Sequence, residues 1–219
     1  MVKKPATIAP RLDTIRLQDL LEGDPDTLEA HERYEGYRFD DADLSHRDLA
    51  GTTFAECELV NVTAHETELR ASGFVETVFD RLNAPIFPAP RSRFRDVVID
   101  QSRLGSAELY EADWQSVHIR NSKLGYVNLR GAKLQDVLFT DCTIDELDLG
   151  GATANRVAFI GTEVNSLDLT RATLTHTDLR GLELRRLTGL EGLKGATITE
   201  YQVAELAPLF AAHFGVIVA

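Results

Sequence analysis

His31, His46, His65, His118, His176 and His213 are the imidazoles with which this chain could hold a metal ion or move a proton. They are dispersed, and none falls in a His-Glu-x-x-His or comparable ligand spacing. The two thiols, Cys57 and Cys142, stand 85 positions apart without a Cys-x-x-Cys partner, which indicates neither a zinc site nor a redox pair. Gly189, Gly192 and Gly195 lack the strand-turn-helix setting of a phosphate loop. No catalytic residue, no metal site and no cofactor is therefore expected, and the chain reads as a non-enzyme. What remains as chemistry is charge: 35 acids stand against 23 Lys and Arg, for a formal net charge of −12. That balance disfavours direct contact with nucleic acid or an anionic membrane surface.

The elements that must position those charges repeat every five residues. Phe39, Leu44, Leu49, Phe54 and Leu59 open a series of apolar centres that continues through Ala84, Ala89, Trp114 and Leu129 to Leu184. A period of five fits neither a helix nor a strand. It requires a chain that turns inward once per five residues, the unit of a solenoid. Two residues before each centre lies a second restricted class, and its members recur every twenty. Val97, Val117, Val137 and Val157 form one column; Ala112, Ala132, Ala152 and Ala172 another; Ser102, Ser122, Cys142 and Thr162 a third. Four five-residue sides per coil follow, with residues twenty apart stacked about 4.8 Å from one another. Ser102 and Ser122 are then structural, their Oγ atoms bonding backbone, and Cys57 and Cys142 are buried free thiols. Arg47 and Phe87 fit the small inward position poorly.

Ala42-Asp43-Leu44-Ser45-His46, Ala112-Asp113-Trp114-Gln115-Ser116 and Val127-Asn128-Leu129-Arg130-Gly131 are close to the motif Ala-Asp/Asn-Leu-x-x. Over roughly residues 36–187 the chain thus resembles the pentapeptide repeat family. The resemblance implies an all-β solenoid, a right-handed quadrilateral β-helix with five-residue sides. Quinolone-resistance members of that family are rod-like dimers whose anionic surface occupies the DNA-binding groove of gyrase. This chain is similar to them in general form, which implies an acidic DNA mimic, a type II topoisomerase as partner and protection of that enzyme from inhibitors. Most members of the family have no assigned activity, and a protein–protein interaction scaffold is the alternative.

Around the repeats, residues 1–35 are expected to cap the first coil. Leu12, Ile15, Leu17, Leu20 and Leu21 suit a short amphipathic element, Gly23 to Asp26 a turn, and Thr27 to Tyr34 a short helix. Pro85, Pro88 and Pro90 predict a loop over 82–93 that bulges from one corner. That loop is either a tolerated insertion or a partner contact through Phe87, Arg91 and Arg93. Residues 188–219 end the stack. Thr199 and Gln202 form a capping box for a C-terminal α-helix with Val203, Leu206, Ala207, Phe210 and Phe214 on one face. Pro208 is a candidate kink, Gly215 stops the helix, and Val216 to Val218 read as a strand. The helix face either caps the last coil or joins a second copy, and a homodimer is the expectation.

On the surface, Glu108, Asn128, Asp148 and Asp168 form an outward column that Asp48 and Glu68 would extend. Such carboxylates either compare with a row of phosphates or accept bonds from local amides. Residues 36–81, with Asp40, Asp43, Glu56 and Glu58 among ten acids against four bases, are more acidic than residues 94–187, with fourteen against eleven. The opposite side shows Val98, His118, Leu138 and Ala158 outward, with Ile160 nearby, and is expected to be covered by the N-terminal segment, the proline segment or a partner. Without a membrane-spanning stretch or a signal peptide in Met1 to Leu20, a cytoplasmic location is expected.

Overall fold

The computed structural model describes residues 7–184 and 186–217. They wind into a parallel β-solenoid of about nine turns closed by one helix, Glu200–His213. The twenty-residue reading is realised in the register: Trp114 pairs with Phe94 on one side and Leu134 on the other, and Leu124 with Leu104 and Ile144. In the middle coils the first two sides belong to one long strand, as in Asp113–Arg120, and the third runs through Lys123–Asn128; in an earlier coil those two sides are the separate strands Thr53–Ala55 and Glu58–Val60. Corners form where the second residue after a centre takes positive φ, as at Ser116, Asn121 and Gly131. A non-glycine residue there costs on the order of 1 kcal/mol, which the packed interior offsets. Below the proline segment the corner after the third side is also left-handed, at His46 (φ 62) and Glu66 (φ 53). From Ile86 onward that corner is extended, with strands Asn83–Pro88 and Arg103–Glu108 running straight through it.

The centres fill the interior as complementary columns. Tyr34, Phe54, Phe74, Phe94 and Trp114 stack ring on ring with centroids 5.8, 5.7, 4.8 and 5.3 Å apart. Above Trp114 this column shrinks to Leu134 and Ala154, and the aromatic bulk passes to the next side, where Phe139 and Phe159 stack at 5.0 Å. The small inward serines bond backbone as expected: Ser102 Oγ donates to Asp100 O (2.7 Å) and accepts from Leu82 N (3.0 Å). Both cysteines are free and buried.

The proline segment is not a loop. Asn83–Pro88 pairs in register with Arg103–Glu108, and Phe87 is a core residue, 2% exposed. Size complementarity explains it: Phe87 lies between small centres, Ala84 and Ala89, and stacks on Ala107. The prolines are tolerated for a related reason. At this corner in other coils, Asp48, Asn128, Asp148 and Asp168 accept a bond from the amide two residues on, that of Ala50, Arg130, Gly150 and Thr170. Pro88 and Pro90 occupy those two positions, so acceptor and donor disappear together. Their carbonyls still accept from Leu69 N and Ala71 N, both at 2.9 Å. A ladder donor is given up at Pro88, whose counterpart Glu68 donates to Arg47 O.

The N-terminal segment also differs from expectation. Thr27 to Tyr34 is not a helix: a single 3-10 turn, Pro25–Thr27, is N-capped by Asp24 and leads to the strand Arg33–Glu35. Leu28 plugs the open first coil, 2% exposed, and Arg47, the apparent misfit, reaches out of that coil to the carbonyls of Pro25 and Leu28. Residues 7–20 do not cap at all. They run as a strap along the stack, from the Thr7–Thr197 hydroxyl pair at its far end, through Arg11 N–Asp136 Oδ1 (2.9 Å) and Asp13 N–Ser116 Oγ (3.0 Å), to Leu21 paired with Tyr37. Arg11 and Asp13 are exposed and Leu12 between them is half-buried, so Leu12 faces the body. The strap passes beside the apolar column: Val98, His118, Leu138 and Ala158 are half-buried, while Ile160 stays 57% exposed.

Asp136 is the strap's main anchor. Burial alone would raise its pKa, but bonds from Arg156 (2.5 and 2.6 Å), Gln135 (2.7 Å) and the Arg11 amide outweigh this and lower it from 3.8 to about 2. A depressed carboxylate stabilises the fold at pH above its unfolded value and loses that contribution as pH falls through the folded one. Asp136 should therefore supply about 2 kcal/mol near neutrality, lost between about pH 4 and pH 2. In Asp136→Asn that part of the stability–pH curve should be flat, as read by urea denaturation. The interior makes a second demand. Leu129→Ala should lose roughly 2–5 kcal/mol and Phe87→Ala roughly 3–5 kcal/mol through cavities, while Arg93→Ala stays within about 0.5 kcal/mol. Equal losses at the three positions would contradict the assigned inside and outside.

Candidate functional site

Because the proline coil keeps register, the column runs unbroken along one side as Asp48, Glu68, Pro88, Glu108, Asn128, Asp148 and Asp168, with its charge interrupted at Pro88 and Asn128. Its carboxylates are largely engaged. Asp48 and Asp168 accept from the Ala50 and Thr170 amides at 3.0 and 2.8 Å, and Glu108 accepts from Asn128 Nδ2 at 2.7 Å. Asp148 takes the Gly150 amide at 2.8 Å and Arg130 Nη1 at 2.9 Å, and its side chain is only 9% exposed. Arg130 also approaches Asp168 (3.9 Å), and the hydrogen bond to Asp148 raises its own pKa. Asp148, read from the sequence as an outward charge, is thus a buried structural acceptor. Glu68 lies 3.7 Å from Arg70 and is half-exposed. The column is chiefly corner chemistry.

Charge gathers elsewhere. Residues 19–81 hold seventeen acids against five bases, and the rest of the chain eighteen against eighteen. The whole excess of −12 therefore lies on the N-terminal cap and the coils nearest it. On those coils Arg38 bridges Asp40 (2.8 Å) and Glu58 (2.6 Å), and Asp43 accepts from Ser45, whose side-chain and backbone bonds lower its pKa. Glu56 and Glu76 are exposed. Of the acids singled out from sequence, Asp40, Asp43, Asp48, Glu56, Glu58 and Glu68 share this end, whereas Glu108, Asp148 and Asp168 lie further along the stack.

Arg91 and Arg93 are exposed at the corner after the proline segment, with Phe87 buried beneath. They line a hollow of about 550 Å³ that opens over Ala71 and Gly73, with Arg33, Asp113 and Lys133 on its walls. Arg91 donates to Glu111 at 2.7 Å, which raises its pKa.

At the other end, the capping box forms as the sequence indicated. Gln202 N donates to Thr199 Oγ1 (3.1 Å), and Thr199 N to Gln202 Oε1 (2.7 Å). Gln202 does more: its Nε2 donates to the carbonyls of Leu179 (2.7 Å) and Leu182 (2.6 Å), the open end of the last coil. Leu206 is buried and Phe210 packs on the core one turn further along. The capping face is thus Gln202, Leu206 and Phe210. Val203 and Phe214, placed on it from sequence, are 47% and 75% exposed; Val203 lies to one side of that face, and Phe214 is the C-cap, beyond the last helical residue His213. Tyr201, Leu209, Val216 and Ile217 are exposed with them. Val216 and Ile217 are not in a strand, and Val218 lies outside the described residues. Among the described residues no helix is long and apolar enough to cross a membrane.

The family model for pentapeptide repeats matches residues 38–72, with eight copies. A trypsin-treated form of QnrB1, a plasmid-mediated fluoroquinolone resistance protein, is similar at 18% identity, with 90% of this chain and 96% of that one covered and a TM-score of 0.37. HetL, a pentapeptide repeat protein involved in heterocyst differentiation regulation from the cyanobacterium Nostoc sp. strain PCC 7120, is similar at 19% identity, covering 78% and 91%, with a TM-score of 0.28. No curated protein matches.

Proposed function

We propose that this pentapeptide-repeat chain is a non-enzymatic binding protein whose acidic N-terminal coils occupy a basic surface of a partner, where nucleic-acid phosphates would otherwise lie. The observation that carries this reading is the segregation of charge: the entire net −12 resides in residues 19–81. Carboxylates on a rigid stack lose little conformational freedom on binding, and the field of one end steers a basic partner onto it. A type II topoisomerase such as DNA gyrase is the partner the family resemblance suggests, and occupancy of its DNA groove would protect it from inhibitors. The charge is concentrated at one end, so the mimicry belongs to a tip rather than to the full length of the rod.

The exposed face of the last helix supports a homodimer. Val203, Leu209, Phe214, Val216 and Ile217 leave an apolar surface at the end opposite the acids. Two copies joined there would carry their acidic tips at the far ends, on the order of 80 Å apart for two nine-turn stacks. A scaffold reading draws on the hollow at Arg91 and Arg93, which suits an acidic or polar segment of another protein.

Two outcomes are expected. Gyrase supercoiling should be inhibited by micromolar protein, with an effect that fades steeply between about 50 and 200 mM salt, and Glu58→Lys with Glu68→Lys should weaken it; full supercoiling at every protein concentration would remove topoisomerase as the partner. Sedimentation equilibrium should give a dimer that Phe214→Glu converts to a folded monomer, and a monomeric parent protein would overturn the dimer.

A further inference from the structure

We propose that His46, His65 and Glu66 form a binding site for one divalent transition cation of the zinc class. The three side chains offer one ligand atom each, all within 4.8 Å of one another, the one such group among the described residues. His46 Nδ1 and Glu66 Oε2 are already 3.1 Å apart, and the His46 and His65 rings lie 5.3 Å apart, edge to face. A tetrahedral ion with bonds of about 2.0–2.1 Å requires ligand atoms about 3.3 Å apart. The site as it stands is wider than that, and closing it requires a small movement of the His65 ring, for which the broad χ2 well of histidine leaves room.

The backbone that carries the site is fixed. His46 and Glu66 are twenty residues apart, so the coil repeat sets them one above the other at the same corner. Both are left-handed there, and His46 N donates to His65 O at 2.9 Å. This corner geometry exists in the coils below the proline segment and is replaced by extended chain from Ile86 onward. His65 Nδ1 is buried without a hydrogen-bond partner, an unsatisfied atom of the kind that a bound ion or its water would satisfy.

The donor set selects the metal class. Two imidazoles and one carboxylate suit Zn²⁺, Cu²⁺ or Ni²⁺, while Mg²⁺ and Ca²⁺ favour all-oxygen shells. Glu66 contributes one negative charge directly, and Asp43, which interacts electrostatically with His46, adds to the local field. Three protein ligands leave a coordination position for water or for a donor atom of a second molecule.

Equilibrium dialysis of the tag-free, full-length protein against ZnCl₂ in a non-chelating buffer tests the site. One equivalent of Zn²⁺ per chain is expected, lost in the His46→Ala/His65→Ala variant and weakened on the order of tenfold or more in Glu66→Gln. Co²⁺ should give visible absorption of a four-coordinate site in the parent protein and not in the double variant. Circular dichroism confirms that the variants remain folded, and Glu66→Gln keeps the test open should the alanine variant not fold. Absence of uptake by the parent protein, or an undiminished equivalent in the folded double variant, would overturn the proposal.

Discussion

Backbone hydrogen bonds between residues about twenty apart hold each coil to the next, and every other feature is subject to that spacing. Residue i must match residue i + 20 in inward or outward direction, or the ladder cannot continue. The interior then has no freedom to choose position, only size, and it uses size fully. The aromatic column that runs from Tyr34 to Trp114 gives way to Leu134 and Ala154 as Phe139 and Phe159 take over the adjacent side. Phe87 occupies a corner meant for a small residue because Ala84 and Ala89 vacate the volume beside it. Large centres on one side stand beside smaller ones on the next, so the interior fills while its composition varies from coil to coil.

A ladder leaves unpaired groups at its two ends, and side chains from within the repeat or just beyond it meet them. Arg47 donates outward to the Pro25 and Leu28 carbonyls, and Gln202 donates back to those of Leu179 and Leu182. Each would look misplaced or unremarkable in isolation: a charged residue at a small inward position, a glutamine in a capping box. Closure of both edges leaves decoration, not backbone, to determine what the protein contacts. The acids near the first coil and the apolar helix face at the last are then two separate surfaces on a stack that does not need either of them to close.

Sequence alone reveals the sides, the coil length, the inward columns and the C-terminal capping box, because each has a strict period or a local motif. Other features escape for physical reasons. The proline segment reads as a loop if prolines are judged one at a time; at Pro88 and Pro90 they remove an acceptor and its donor together, and Ala84 and Ala89 already announce the space for Phe87. Asp148 reads as outward charge because the pattern gives direction but not what neighbouring coils supply, in this case Arg130 from the coil below. The strap lacks any period, since its partners Ser116 and Asp136 are set by stacking. His46 and Glu66 look unrelated along the chain and become neighbours only when counted by twenty.

The strap changes how the molecule can come apart. In a plain solenoid each coil touches only its neighbours, and the ends fray independently of one another. Here Thr7 meets Thr197, Arg11 meets Asp136 and Asp13 meets Ser116, contacts separated by 190, 125 and 103 residues. Loosening the last coil frees the strap from its far anchor, and losing the strap uncovers the column beside it. The strap thereby ties the two ends of a linear array to each other through contacts that no coil-to-coil ladder provides.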